Sequence, residues 1–423
     1  MKILGIETSC DETSIAVLEI KNRKLKVLSN VVSSQVKIHA PFGGVVPSLA
    51  AREHEKNLPR VLNLALRKAK IKTAEKEIDF IAVTQGPGLE PALWRGINFA
   101  KELARLWNKP LIGVNHLEGH IYSNWLPSNK KTYNLKSRFR KAESRILDSE
   151  ISESGLITYN KIFPALNLIV SGGHTQLVLM TGHGKFKLIG ETLDDAAGEA
   201  FDKVSKMLDL GYPGGPVVAQ RAAKLKMRSV PIEDQGSSIS QREIGKKVKI
   251  RFPRPMINSK NYNFSFSGLK TAVLYKIKEL KEHKKKLTNL ETNYICKEFQ
   301  DAVIEVLVTK TIRAVKEFKV SPHTKRVYAT KSQNKTDTRY GVGVKSVFLS
   351  GGVSANKLLR KTLGRESKKL KIHYSQPELE YTTDNAAMIA LAGYYKFRSK
   401  KLEVRIKKSE KIIANPNLRI KNW

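Results

Sequence analysis

Two lobes of α/β architecture are predicted for this chain, and three observations carry the prediction. Strand, loop and helix alternate in the N-terminal part, the order that places helices against a sheet. A strand, polar turn, strand unit occurs near the N-terminus and again from Ala165, which hints at a duplicated fold. The 423 residues are enough for two or three packed units at roughly 150 residues each, and every unit of that size can bury its own core.

The elements follow in order. Ile3 to Ile6 and Ile15 to Ile20 are β-prone runs joined by the polar stretch Glu7-Thr8-Ser9-Cys10-Asp11-Glu12-Thr13-Ser14, a hairpin whose turn is rich in reactive groups. From His54 to Lys70, apolar residues at Leu58, Val61, Leu62, Ala65, Leu66 and Ala69 keep helical spacing. The strand Phe80 to Thr84 enters the loop Gln85-Gly86-Pro87-Gly88-Leu89, and Trp94 to Trp107 is helical until Pro110 ends it. Residues 1–110 form the predicted N-terminal lobe, completed by a C-terminal helix near 385–400. The second lobe is expected over 111–384, opening with the strand Leu111 to Val114 and a helix from Asn115 to Trp125. Its main strands are Ala165 to Val170, Gln176 to Met180 and Lys345 to Leu349; the turn Ser350-Gly351-Gly352-Val353-Ser354 then leads into a helix from Asn356, a place where an anion is welcome. Stretches without apolar periodicity, 129–161, 228–251 and 319–345, read as surface insertions, and 401–423 as a basic tail.

Charge sets this chain apart. Lys plus Arg number 76 against 39 Asp plus Glu, a formal +37, which points to a polyanionic partner; a small anionic metabolite needs only two or three cations. A Lys-rich proteome is the bland alternative. Apolar residues make up 41% and charged residues 27%, too hydrophobic for a disordered chain. Two cysteines, Cys10 and Cys296, give no disulfide framework and suit a reducing, cytoplasmic setting. Glu7, Asp11 and Glu12 break up any signal-peptide core, and no apolar run reaches the ~20 residues of a membrane span.

His116 and His120, in His116-Leu117-Glu118-Gly119-His120, share one helix face and can bind one metal ion. In a zincin the glutamate directly follows the first histidine; Glu118 instead lies two residues on, about 200° around the helix, badly placed as a base. Asp384, in Tyr381-Thr382-Thr383-Asp384-Asn385, is either a third ligand or a plain helix N-cap. The two SGG turns, Ser171 to Thr175 and Ser350 to Ser354, suit phosphate or a nucleotide, or are ordinary hairpin glycines. The acids of Asp194 to Lys203 could hold ribose hydroxyls or merely complement a helix dipole. Cys10 beside Asp11 is a weak nucleophile candidate.

Together these segments resemble the tRNA N6-adenosine threonylcarbamoyltransferase family, formerly the glycoprotease family, in its bacterial branch. The resemblance rests on GIETSCDETS, PSLAAREH from Pro47, GPGL at Gly86, NHLEGH at Asn115 and VSGGHTQL from Val170. It continues through DDAAGEAFDKVSKMLDLGYPGGP from Asp194, FSFSGLKTAV from Phe264, LSGGVSAN from Leu349 and TDNAAMIA from Thr383. It implies the actin, sugar-kinase and Hsp70-like fold with ligand in the interlobe cleft. It also implies transfer of threonylcarbamoyl from threonylcarbamoyl-adenylate to N6 of the adenosine 3′ to the anticodon, in tRNAs reading codons that begin with A.

By that resemblance His116, His120 and Asp384 hold one divalent metal, iron(II) or zinc, and no covalent nucleophile is needed. The adenylate lies against Ile169, Val170, Ser171, Gly172 and Gly173, with Asp202, Gly215 and Asn356 completing its contacts. The implied partners are tRNA, a degenerate paralogue of the same fold and a small P-loop ATPase. One departure is local: many relatives carry an Asp after PGGP, where this chain reads Pro216-Val217-Val218-Ala219. Two other readings stand beside the transferase, a metalloprotease using His116 and His120, and a non-catalytic scaffold paralogue.

Overall fold

A computed structural model describes residues 1–22, 24–127, 133–134, 162–225, 250–282, 286–318, 343–399 and 411–423. Most of the predicted insertions 129–161, 228–251 and 319–345 lie outside the described residues.

Two sheets carry the fold. The first contains β1 (Lys2–Glu7), β2 (Glu12–Lys21), β3 (Lys24–Ser34), β4 (Phe80–Gly86), β5 (Leu111–Asn115) and the two-residue β6 (Tyr133–Asn134), in the order β5-β4-β1-β2-β3-β6. The second contains β7 (Ala165–Val170), β8 (Thr175–Gly182), β9 (Lys185–Glu191), β10 (Ser346–Ser350) and β11 (His373–Ser375), in the order β11-β10-β7-β8-β9. The leading strand of each sheet pairs antiparallel with the next in sequence and parallel with the fourth, which is parallel to the fifth. The duplication hinted at by the repeated turns is therefore present strand for strand.

One boundary differs from the sequence prediction. The strand Leu111–Asn115, assigned there to the opening of the second lobe, is the edge strand of the first sheet, with Ile81 opposite Leu111 and Thr84 opposite Val114. A parallel partner must be reached by a crossover, here the helix Glu90–Leu106, and nothing in a five-residue strand announces which sheet it will join.

Strand periodicity sorts the core into layers. Leu4, Ile6, Ile15 and Val17 face outward onto the helices Pro47–Lys68 and Glu90–Leu106. Their neighbours Ile3, Ala16 and Leu18 face inward, into a cluster shared with Ile169, Val178 and Phe348 of the second sheet. Both faces being buried explains why these strands read as nearly continuous apolar runs. Two short crossings fill the space between the sheets: the helix His116–Tyr122 and the helix Ala386–Ser399, the latter apolar and buried from Ala386 to Tyr394. The outer face of the second sheet is covered by the helices Ala197–Met207, Gly214–Ala223, Ser267–Lys281, Asn289–Phe318 and Lys357–Lys369.

The predicted basic tail also differs from expectation. Residues 411–423 lie along the body of the protein: the Asn415 amide donates to the Gln85 carbonyl at 2.9 Å, and the Trp423 amide to the Gly184 carbonyl at 3.1 Å. Among the described residues, no helix is long and apolar enough to cross a membrane.

Candidate metal centre and ligand cleft

The helix His116–Tyr122 starts abruptly after β5 because Asn115 caps it, its side-chain oxygen accepting from the Leu117 amide at 2.8 Å and the Glu118 amide at 3.4 Å. One turn then stacks His116 over His120, ring centroids 4.6 Å apart and nearly perpendicular at 79°. Asp384 arrives from the far end of the chain, just ahead of the helix Ala386–Ser399. Its Oδ1 lies 3.4 Å from His116 Nε2 and 3.2 Å from His120 Nε2. The capping alternative for Asp384 falls away: Asn385 accepts the Met388 amide at 3.1 Å and the Ser14 hydroxyl oxygen accepts the Ala386 amide at 2.9 Å.

His116 is fixed from behind. Its Nδ1 stands 3.0 Å from Glu7 Oε2 and 3.1 Å from Ser9 Oγ, while Glu7 also accepts from Thr84 Oγ1 at 2.6 Å and the Ser9 amide at 2.5 Å. A carboxylate on Nδ1 sets the tautomer that leaves Nε2 free to ligate. Burial works against charge on His116, but the Asp384 and Glu7 carboxylates outweigh it and raise the imidazole to about 9. Burial likewise disfavours the Asp384 anion, yet the histidines hold it down to about 2. His120 is lowered by burial. Both His120 nitrogens are buried without a hydrogen bond, although Nε2 is within 3.2 Å of Asp384. Donors that approach one another without bonding are aimed at a common point, and the three candidate ligand atoms lie within 4.8 Å of one another. Two imidazoles and a carboxylate fit one divalent cation with positions to spare.

Beside this triad the C-terminal ends of β7 and β10 carry the two SGG turns. A Cβ added to Gly198 would come 2.5 Å from the Ser171 carbonyl, and one on Gly351, at φ +86°, 2.4 Å from the Val170 carbonyl. The VSGG turn, the LSGG turn and the helix beginning at Ala197 thus converge. Gly172 and Gly173 are exposed with open space beside them, and half-buried Gly215 also has open space where a side chain would stand. Asp202 accepts the Gly214 amide at 2.7 Å, and burial lifts its carboxyl to about 6 despite that bond. Ile169 and Val170 are fully buried, so what they can offer a ligand is backbone. Asn356 is engaged already, capping the helix Lys357–Lys369 through its oxygen and donating to Gln300 at 2.9 Å.

Four residues around the site, His174, Glu12, Tyr212 and His54, were given no role in it by the sequence, and the structure also settles the surroundings of Cys10 and Glu118. His174 follows the VSGG turn; burial and the charges of His116 and His120 depress it to about 4, which puts it within electrostatic reach of the triad. Glu12, the first residue of β2, is raised by burial, Asp384 and Asp11. Tyr212 is raised by burial and by Asp11 and Asp202, so the polar turn of the first lobe and the Gly-Pro loop of the second face one another. His54, donating from Nε2 to the Cys10 carbonyl at 2.9 Å while Nδ1 meets Thr13 Oγ1 at 2.8 Å, braces that turn. The Cys10 thiol is pushed far up by burial and neighbouring acids, the opposite of an activated nucleophile. Glu118 faces away from the triad and accepts from Trp423 Nε1 at 2.8 Å, with burial raising its carboxyl to about 7. It is not a base for a metal-bound water.

A duplicated two-lobed α/β fold, with convergent Gly turns and a His-His-Asp triad in the cleft between the sheets, defines a cleft enzyme of the actin, sugar-kinase and Hsp70-like class. The chain belongs to the tRNA N6-adenosine threonylcarbamoyltransferase (TsaD) family, whose profile matches residues 26–134 and 151–391. Relatives bearing that name share 41% identity in Thermosipho africanus (99% of this chain, 100% of that one) and 44% in Thermosipho melanesiensis (94% and 95%). The Bacillus subtilis relative is 41% identical over 94% of this chain and 91% of its own.

Proposed function

We propose that this protein transfers the threonylcarbamoyl group of threonylcarbamoyl-adenylate to N6 of the tRNA adenosine 3′ to the anticodon, in tRNAs reading codons that begin with A. The observation that carries the reading is the triad His116, His120 and Asp384, assembled from the two crossings between the sheets at the mouth of the VSGG turn.

The bond from N6 to the carbamoyl carbon forms as the bond from that carbon to the phosphate oxygen breaks; AMP leaves with the electron pair and the amine sheds a proton. The donor is a mixed anhydride and already activated, so orientation and exclusion of water are the main tasks. Ser171, Gly172 and Gly173 would cradle the phosphate on backbone amides, which side chains on the two glycines would obstruct. Ile169 and Val170 would contribute backbone, and Asp202, Gly215 and Asn356 would flank the nucleoside. Glu7 holds the Nδ1 proton of His116 and so keeps Nε2 turned toward the site. A divalent cation, iron(II) or zinc, held by His116, His120 and Asp384 would supply a Lewis acid for the carbamoyl carbonyl. The surplus of basic residues suits tRNA phosphates. A degenerate paralogue of the same fold and a small P-loop ATPase are the expected partners, in the cytoplasm.

The test is transfer itself, with purified protein, tRNA, verified threonylcarbamoyl-adenylate and those partners, read as modified nucleoside by mass spectrometry. Product that disappears with Asp384→Ala supports the reading; no product from the unaltered protein sinks it. A protease reading requires Glu118, which is sealed against Trp423; a scaffold reading leaves the triad without use.

A further inference from the structure

The segment 411–423 is bound along its length, and its contacts converge on one short helix. At the first sheet the Gly88 amide donates to the Pro416 carbonyl at 3.2 Å, next to the Asn415 contact with Gln85. The fit is close enough that a Cβ on Gly86, at φ +148°, would sit 1.9 Å from the Asn415 carbonyl. Asn115 Nδ2, on the residue that caps the histidine helix, donates to the Leu418 carbonyl at 3.2 Å. At the second sheet the Phe186 amide donates to Asn422 Oδ1 at 2.6 Å, and the Trp423 amide docks on Gly184, in the β8–β9 turn. The Trp423 ring lies 6.0 Å from Tyr122 and 6.1 Å from Phe186, and its Nε1 donates to Glu118. The strap therefore touches both sheets and holds the helix His116–Tyr122 at its cap and at its middle, on the side away from the ligand atoms.

We infer that residues 411–423 act as a positioning strap for the metal-site helix, with Trp423, through its hydrogen bond to Glu118, fixing the roll of that helix and hence where His116 and His120 point. Seven residues give the helix little stability of its own, so its roll is set by its surroundings: Leu117, Ile121 and Tyr122 in the shared core, Glu7 behind His116, and Trp423 on Glu118. A buried carboxylate without its donor has strong reason to move. Glu118 acts here as the acceptor for Trp423; the Lys396 cation also stands near its carboxylate, so the charge and the hydrogen bond are tested separately. The inference rests on the triad being a metal site.

The full chain, stripped of metal, is titrated with cobalt(II) alone, and the d–d absorption band reports both affinity and coordination geometry. Unaltered protein is expected to bind one equivalent and His120→Ala none; failure here sinks the metal-site reading itself. Trp423→Phe keeps an aromatic ring but loses the five-membered half of the indole together with its Nε1 donor, and it should weaken cobalt binding about tenfold and alter the band, as removal of an outer support typically does. Glu118→Leu, which leaves the indole in place and removes its acceptor, should do the same and so separates the hydrogen bond from the ring packing. Glu118→Gln keeps an acceptor for Nε1 and should bind cobalt within about twofold of the unaltered protein. Hydrogen exchange over residues 116–122 gives a second readout independent of metal: faster in Trp423→Phe, unchanged in Glu118→Gln. The strap is refuted if Trp423→Phe matches the unaltered protein in exchange and cobalt binding, or if Glu118→Gln loses as much as Trp423→Phe, which would make the charge itself the active feature.

Discussion

Asp202→Asn should make this protein more stable and a poorer enzyme. Burial lifts the Asp202 carboxyl from its ordinary 3.8 to about 6, with the Gly214 amide as its direct donor. Because the folded value lies above the unfolded one, the folded state binds more protons between those limits, and stability falls as pH rises from 3.8 through 6. Above that window the ionised group costs the folded state about 3 kcal/mol, at 1.36 kcal/mol for each of roughly two units. Asparagine removes the charge while its oxygen still accepts from Gly214, though a neutral acceptor is weaker by about 1 kcal/mol. The net gain is about 2 kcal/mol at pH 8, and it shrinks by more than 1 kcal/mol at pH 5, where much of the wild-type carboxyl is protonated when folded. Denaturant unfolding of both proteins at pH 5 and pH 8 measures this, and a parallel titration with the adenylate should show weaker binding to the variant. Equal or lower stability of Asp202→Asn at pH 8, or a difference that ignores pH, would refute the burial argument.

Three further outcomes follow from the same geometry. Glu7→Gln removes the anion behind His116 Nδ1 and should weaken zinc binding 10- to 100-fold, whereas undiminished affinity in a competition with a chromogenic chelator would mean that the imidazole is oriented by something else. Gly198→Ala drives a methyl against the Ser171 carbonyl, at 2.5 Å, so it should cost about 1–3 kcal/mol and raise the KM for adenylate more than kcat falls; an unchanged KM would remove the VSGG turn from the binding site. Binding of tRNA should fall about 100-fold between 50 and 200 mM salt, as four or so neutralised phosphates require, and a flat response would show that the +37 does not meet RNA.

The local units were readable because their cause is local. The opening hairpin, the β7–β8 hairpin and the helix after β4 follow from apolar period and turn chemistry, and each stands within a few residues of its expected place. The edge strand Leu111–Asn115 went to the wrong sheet because parallel pairing is decided by a crossover and not by the strand. Asp384 was ambiguous for a related reason: ligand and cap share one sequence signature, and only the side chain of Asn385, taking the capping role, separates them. Glu7 was visible as an acid interrupting an apolar run, but its meaning needed His116, 109 residues away. The strap was hidden by composition. The predicted tail 401–423 reads as basic and solvated as a whole, which masks its last stretch, where Lys411, Arg419 and Lys421 are outnumbered by apolar residues such as Ile412, Leu418 and Trp423.

The two ligand sources of the metal centre occupy equivalent places in the duplicated fold. His116 and His120 follow the fifth strand of the first sheet, and Asp384 follows the fifth strand of the second. Each lies where the chain leaves one lobe for the other, and the two crossing helices pack together between the sheets. Were the lobes to rotate about these crossings, as in hinge closure, atoms near the pivot would travel least and the Gly turns farther out would travel more. A cation there would sit at the axle of the movement. Substrate entry and product release could then proceed by swinging the turns away from a coordination sphere that stays intact, and a ligand-poor pocket in one repeat alone could not have offered that.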